Sequence, residues 1–239
     1  MSAIFHPALH AVFEALGYSV GGLFYLRTSR PSHDSSANEN RWLLLATCAI
    51  SALAGSRILG FIEEAYARGW NPHALATSGE KTVVGGLLGA FIALRVLQVQ
   101  GRTKFVAVDA LAAPVCLALA IARIGCFLAG LADDTYGNAT SLPWGVNFGD
   151  GVMRHPTQLY ETIFLTGLTW FLWRKNKQSH TDGKTWRLFI TVYLVWRLFI
   201  DFLKPEPALA LSLSVIQCTC LAGLLALIVE GLIHREPSI

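Results

Sequence analysis

Apolar runs recur along this chain, each closed by a short polar stretch. They fall at about 9–26, 42–63, 82–99, 105–130, 158–174, 187–203 and 209–233. Each approaches the roughly 20 mostly apolar residues that a helix needs to cross the hydrocarbon of a bilayer. The pattern predicts an all-α membrane protein with about seven transmembrane helices. No internal repeat or low-complexity tract divides it, so 1–239 is expected to form a single transmembrane domain with one long polar loop at about 131–157. The first run lacks a basic leader and carries Glu14, which predicts a retained helix rather than a cleaved signal peptide.

Composition agrees with the pattern. Of 239 residues, 53% are hydrophobic and 15% charged, against about 25% charged in soluble domains. The net charge of +3 is modest and gives no reason to expect a nucleic acid partner. Cys48, Cys116, Cys126, Cys218 and Cys220 all lie in apolar runs without metal-ligand spacing. They read as small buried apolar residues, and neither a metal nor a cofactor is expected.

The cations orient the helices. With seven spans, Arg27, Arg30, Arg41, Arg95, Arg102, Lys104, Arg174, Lys175, Lys177, Lys184, Arg187 and Arg235 fall on one side. Arg68, Lys81, Arg154 and Lys204 fall on the other. The positive-inside rule then puts the N-terminus outside, on the periplasmic face, and the C-terminus in the cytoplasm. Arg57, Arg123 and Arg197 remain, each inside a span and in its outer half. An arginine within the bilayer costs about 3 kcal/mol by insertion scales. Three at similar depth suggest either a shared anionic-ligand pocket, since guanidinium matches phosphate geometry, or separate ion pairs with Glu63, Glu64 and Asp201. An outer-side phosphate at that depth would be a phospholipid headgroup. In "YLVWRLFID", Tyr193, Arg197 and Asp201 recur at i, i+4 and i+8, a polar stripe along one helical face.

Three other polar features stand out. The long loop is rich in turn formers and carries Asp133, Asp134 and Tyr136. "RHPTQLYE" reads partly as a helix start, with His155 N-cap-like, Pro156 at the first helical position and Gln158 in a capping-box place. Tyr160 and Glu161 then fall in the first turn, near the membrane surface. In "GEKTVVGGLLGAF", Gly85 and Gly86 permit close approach of another helix or of a ligand.

Together these stretches resemble the prolipoprotein diacylglyceryl transferase family over nearly the whole chain and in the family's order. "GSRILGF", "VVGGLLGAF", "ARIGCFLAG", "LPWGVNF", "RHPTQLYE" and "YLVWRLFIDFLKP" carry the resemblance, the second-last and last most specifically. It implies a bacterial inner-membrane enzyme that moves a diacylglyceryl group from phosphatidylglycerol to the thiol of a lipobox cysteine in a prolipoprotein, releasing glycerol 1-phosphate. It assigns phosphate binding to Arg123 and Arg197. Tyr193 and Asp201 match family positions that orient Arg197 and the glycerol hydroxyls. Arg57 supports the headgroup or pairs with Glu63 or Glu64. Arg154, Gln158, Tyr160 and Glu161 form the rim of the lipid site, beside Gly85 and Gly86.

The chain also departs from the family. The His before Gly-Gly is Val84. Two Asn positions are Cys126 and Ala129, and a Glu position is Leu131. A proton acceptor for the thiol must come from elsewhere or is not needed. Asp133, Asp134 and His155 are the candidates. Three functions stay open: this transfer, a phospholipid-dependent transfer to a different acceptor, and non-catalytic lipid binding.

Overall fold

A computed structural model describes residues 5–28, 35–69, 81–101, 108–178, 184–205, 209 and 213–233. Among them, seven α-helices lie on the seven apolar runs: α1 (Pro7–Thr28), α2 (Ser35–Arg68), α3 (Val83–Val99), α4 (Ala112–Ala129), α5 (Thr157–Gln178), α6 (Lys184–Ile200) and α7 (Val215–Ile233). Trp42–Ala67, Ala112–Asp133 and Val215–Leu232 are long and apolar enough to cross a membrane, and Val83–Val99 is a shorter apolar helix. The sixth run ends earlier than its sequence suggests. Asp201–Leu203 forms a 3-10 turn, so the polar stripe leaves the α-helix at its last member.

The chain divides into two compact units. The first holds residues 1–30, 109–189 and 202–205, the second 31–108, 190–201 and 206–239. In the first, α4 lies against α1 and α5. Small residues set the spacing. A Cβ at Gly17 would stand 2.6 Å from the Ala118 carbonyl oxygen, and one at Gly21 2.9 Å from that of Pro114. Apolar helices in lipid gain little from burying more hydrocarbon, so close backbone approach drives their association. Further along, a Cβ at Gly125 would stand 2.6 Å from Phe13 Cβ, so this glycine admits the first turns of α1.

The second unit packs α2 on α3 in the same manner. Gly85 faces Gly55, and a Cβ at Gly89 would stand 2.5 Å from the Ser51 carbonyl. Of the two uses the sequence left open for Gly85 and Gly86, the approach of a neighbouring helix is present. α7 starts at Val215 because Ser214 caps it. Gln217 N–H donates to Ser214 Oγ at 3.1 Å and Ser214 N–H to Gln217 Oε1 at 2.9 Å, the reciprocal bonds of a capping box.

The long loop is ordered within the first unit. Val146–Asn147 and Met153–Arg154 form β1 and β2, paired antiparallel with Val146 opposite Arg154. Asn147 Oδ1 accepts from the Gly149 and Gly151 N–H groups, both at positive φ, and closes the turn. Asn138 N–H donates to the Leu203 carbonyl at 2.7 Å and fastens the loop to the turn after α6.

Candidate active site

The first unit gathers charge around Arg123. It sits near the end of α4, 7% exposed, and Glu161 on α5 is wholly buried. Arg123 Nε lies 3.1 Å from Glu161 Oε2, and Lys204 Nζ lies 3.7 Å from the same oxygen. The contacts are close ion pairs rather than aligned hydrogen bonds. Removing one partner from such a buried arrangement typically costs about 3–5 kcal/mol, because it strands a charge away from water. Holding Nε against a carboxylate also fixes the plane of the guanidinium, which a bidentate phosphate contact requires.

Gln158 is one turn before Glu161 and equally buried. Its side chain does not cap α5: neither Nε2 nor Oε1 has a hydrogen-bond partner among the described residues. Pro156 is one residue outside the helix rather than its first member, and its carbonyl accepts from Tyr160 N–H at 3.2 Å. The helix-start reading of this stretch therefore explains its backbone but not Gln158. An amide buried without a partner is costly.

The other residues of "RHPTQLYE" divide in two. His155 Nδ1 lies 3.4 Å from the Tyr160 hydroxyl, which accepts from Trp144 Nε1 at 2.8 Å. This ties the loop segment "LPWG" to the start of α5. Arg154 belongs to the hairpin. It pairs with Asp150 at 2.7 Å, and its guanidinium lies 5.1 Å from the centre of the Tyr136 ring. The Arg154 bond holds the Asp150 carboxyl below its usual range. Asp134 is exposed at φ 51°, a turn position.

Asp133 closes the 3-10 turn after α4, and its side chain is only 5% exposed. His10 of α1 donates from Nδ1 to this carboxylate, and Thr135 Oγ1 also donates to it. Cys126 Sγ is 3.7 Å from Arg123 Nη1. His10, Cys126 and Asp133 have their ligand-type atoms within 4.8 Å of one another. Such a trio is able to hold a transition metal, but the Arg123 guanidinium against the sulfur opposes a second cation there.

In the second unit, Arg197 is also 7% exposed, and its Nη2 lies 2.9 Å from Asp201 Oδ1. The other oxygen of Asp201 accepts from Ser214 Oγ at 2.7 Å. Gln217 Nε2 donates to the Leu198 carbonyl at 3.1 Å. The N-terminus of α7 thus clamps the end of α6. Tyr193 is wholly buried one turn before Arg197. Arg57 is half-buried on α2, two turns before Glu64 on the same face.

Sequence reasoning missed His10, Lys204 and Ser214. Lys204 read as an outer-loop cation, although it stands in the quoted stretch "YLVWRLFIDFLKP". His10 lies in no quoted motif. Ser214 carried a signal, the Ser-x-x-Gln spacing of a capping box.

Comparison with known proteins identifies the family. The family model described as prolipoprotein diacylglyceryl transferase matches residues 4–232. The phosphatidylglycerol--prolipoprotein diacylglyceryl transferase of Clostridium tetani is 31% identical over 217 residues, covering 84% of this chain and 86% of that protein. The protein of the same name from Dehalococcoides mccartyi (strain 195) is 30% identical over 197 residues, covering 78% and 73%. One from Clostridioides difficile is 34% identical over 150 residues, covering 62% and 58%. On a match across nearly its whole length, this chain belongs to the prolipoprotein diacylglyceryl transferase family.

Proposed function

We propose that this chain transfers the diacylglyceryl group of phosphatidylglycerol to the thiol of a prolipoprotein lipobox cysteine and releases glycerol 1-phosphate. It does so as a seven-span protein of the bacterial inner membrane, with its N-terminus and site on the periplasmic side. The observation that carries this reading is the buried Arg123, held against Glu161, whose carboxylate also pairs with Lys204, with the unsatisfied amide of Gln158 one turn before Glu161 on α5.

The sulfur forms a bond to the glyceryl carbon as the bond from that carbon to the phosphate oxygen breaks. The electron pair leaves with the phosphate. Negative charge grows on that group, and a fixed cation in a water-poor site stabilises it more in the transition state than in the ground state. Arg123 is assigned this role, with Gln158 and Tyr160 lining the headgroup. By the family pattern Arg197, oriented by Asp201 and Tyr193, is also assigned phosphate binding, and Arg57 headgroup support or a pairing with Glu63 or Glu64. Gly85 and Gly86 hold α3 to α2.

A second reading keeps the phospholipid donor and changes the acceptor, because Val84, Cys126, Ala129 and Leu131 replace polar family residues. Purified protein incubated with labelled phosphatidylglycerol and a lipobox peptide separates the two. Lipidated peptide with released glycerol phosphate is the expected result. Headgroup release without peptide modification selects the second reading. Specific lipid binding without turnover would leave only lipid binding.

A further inference from the structure

The reaction proposed above must remove a proton from the acceptor thiol, and the family histidine before Gly-Gly is Val84 in this chain. We infer that His10 of α1, oriented by Asp133, is the group that accepts it. This rests on the transfer reaction and deepens it.

The geometry assembles a histidine–carboxylate pair from two elements far apart in sequence. Gly125 lets α1 lie so close to α4 that a Cβ there would stand 3.2 Å from the His10 carbonyl oxygen. This contact delivers the ring to the turn that carries Asp133. The carboxylate is well placed to orient rather than to act. Its side chain is 5% exposed and takes two donors, His10 Nδ1 and Thr135 Oγ1. The His10 side chain is 38% exposed, so a substrate group can approach it. With Nδ1–H donating to Asp133, the neutral ring carries its lone pair on Nε2. That nitrogen takes the thiol proton while sulfur attacks carbon. The imidazolium formed would stand between Asp133 and Glu14, whose Oε2 is 3.9 Å from Nε2.

The pair also stands beside the phosphate-binding arginine. Cys126 Sγ touches Arg123 Nη1 and lies within 4.8 Å of the ligand atoms of both His10 and Asp133. Among the described residues, the ionisable groups near His10 include Glu14 on its own helix, Asp133 on the turn and Cys126 on α4, with Arg123 on the far side of Cys126. Base and phosphate cation are thus separated by the one side chain of Cys126, within the span that a thiol, the attacked carbon and a leaving phosphate occupy. Cys126 is a neighbour in this scheme and takes no part.

The test is the pH profile of transfer to a lipobox peptide, measured for the wild type, His10→Gln, Asp133→Asn and Cys126→Ala, with phosphatidylglycerol binding followed in parallel as a check of the fold. General bases contribute about 10²–10⁴-fold. His10→Gln should keep lipid binding and lose at least about 100-fold of the rate at pH 7. Its deficit should shrink as the pH rises past the ordinary thiol pKa of about 8.5, where the acceptor ionises unaided. Asp133→Asn should show a smaller deficit that also narrows at high pH, and Asp133→Glu should restore part of the rate. Cys126→Ala should follow the wild type. A wild-type rate in His10→Gln at pH 7, or a deficit constant across pH, overturns the assignment while leaving the transfer reaction standing. Loss of activity in Cys126→Ala overturns it in favour of thiol or metal chemistry at the trio. A wild-type protein that transfers nothing to the peptide overturns both.

Discussion

Arg123 and Arg197 are equally buried, yet they are held in different ways. Arg197 takes its carboxylate from its own segment, one helical turn on, and α7 then clamps that carboxylate through Ser214. Arg123 takes its carboxylate from another helix, and a lysine from a third segment shares it. The first arrangement survives so long as α6 and the α7 cap exist. The second exists only when α4, α5 and the turn at 201–205 are assembled. A ligand that draws on Arg123 therefore depends on tertiary packing, whereas Arg197 is largely pre-set by one helix and its cap.

The largest expected effect breaks the comparison at its ligand side. Arg123→Ala and Arg197→Ala should each reduce transfer by at least about 100–1000-fold, the loss seen when one fixed charge donor is removed from a developing oxyanion. The checking measurement is steady-state transfer to a lipobox peptide at saturating lipid. Next comes the carboxylate side. Glu161→Gln should destabilise the folded protein by about 3–5 kcal/mol, since it strands Arg123 and Lys204 in a buried site. Asp201→Asn should cost less, because Ser214 and a neutral amide still bridge the helices. Unfolding in detergent, followed by helix circular dichroism, orders the two, and equal losses would erase the proposed difference.

The cap itself comes third. Ser214→Ala should cost about 1 kcal/mol from the lost cap bond and lower activity through Arg197, while Ser214→Thr should recover most of both. The smallest effect lies on the hairpin. The Arg154 bond depresses the Asp150 carboxyl, so this pair contributes at pH values above the carboxylate's ordinary range and is lost as pH falls through its lowered pKa. The pair is exposed, so only local amide protection at Val146 and Met153 should fall, and only in acid. Loss of that protection near neutral pH would contradict the sign.

The same contrast explains what the sequence could reveal. Helices with a lipid-compatible apolar run leave a trace over many consecutive residues, and all seven elements were legible. So was the Tyr193, Arg197 and Asp201 stripe, because helical periodicity writes it along one segment. The 3-10 turn at Asp201–Leu203, whose Leu203 carbonyl accepts from Asn138, left no such trace. Contacts between distant segments leave none either. Arg123 with Glu161, and His10 with Asp133, became visible only when small residues such as Gly125 brought their helices together. Motif resemblance pointed to Glu161 without showing its partner, and it offered nothing for His10, which lies in none of the quoted motifs.

The most direct test of the account is lipidation of a lipobox peptide from labelled phosphatidylglycerol, comparing Arg123→Ala with Cys126→Ala. The two residues are three apart on α4 and touch each other, so a general disturbance of the helix would affect both. Cys126→Ala should transfer the label and release glycerol phosphate like the wild type, while Arg123→Ala should do neither and remain folded. Full transfer by Arg123→Ala would contradict it.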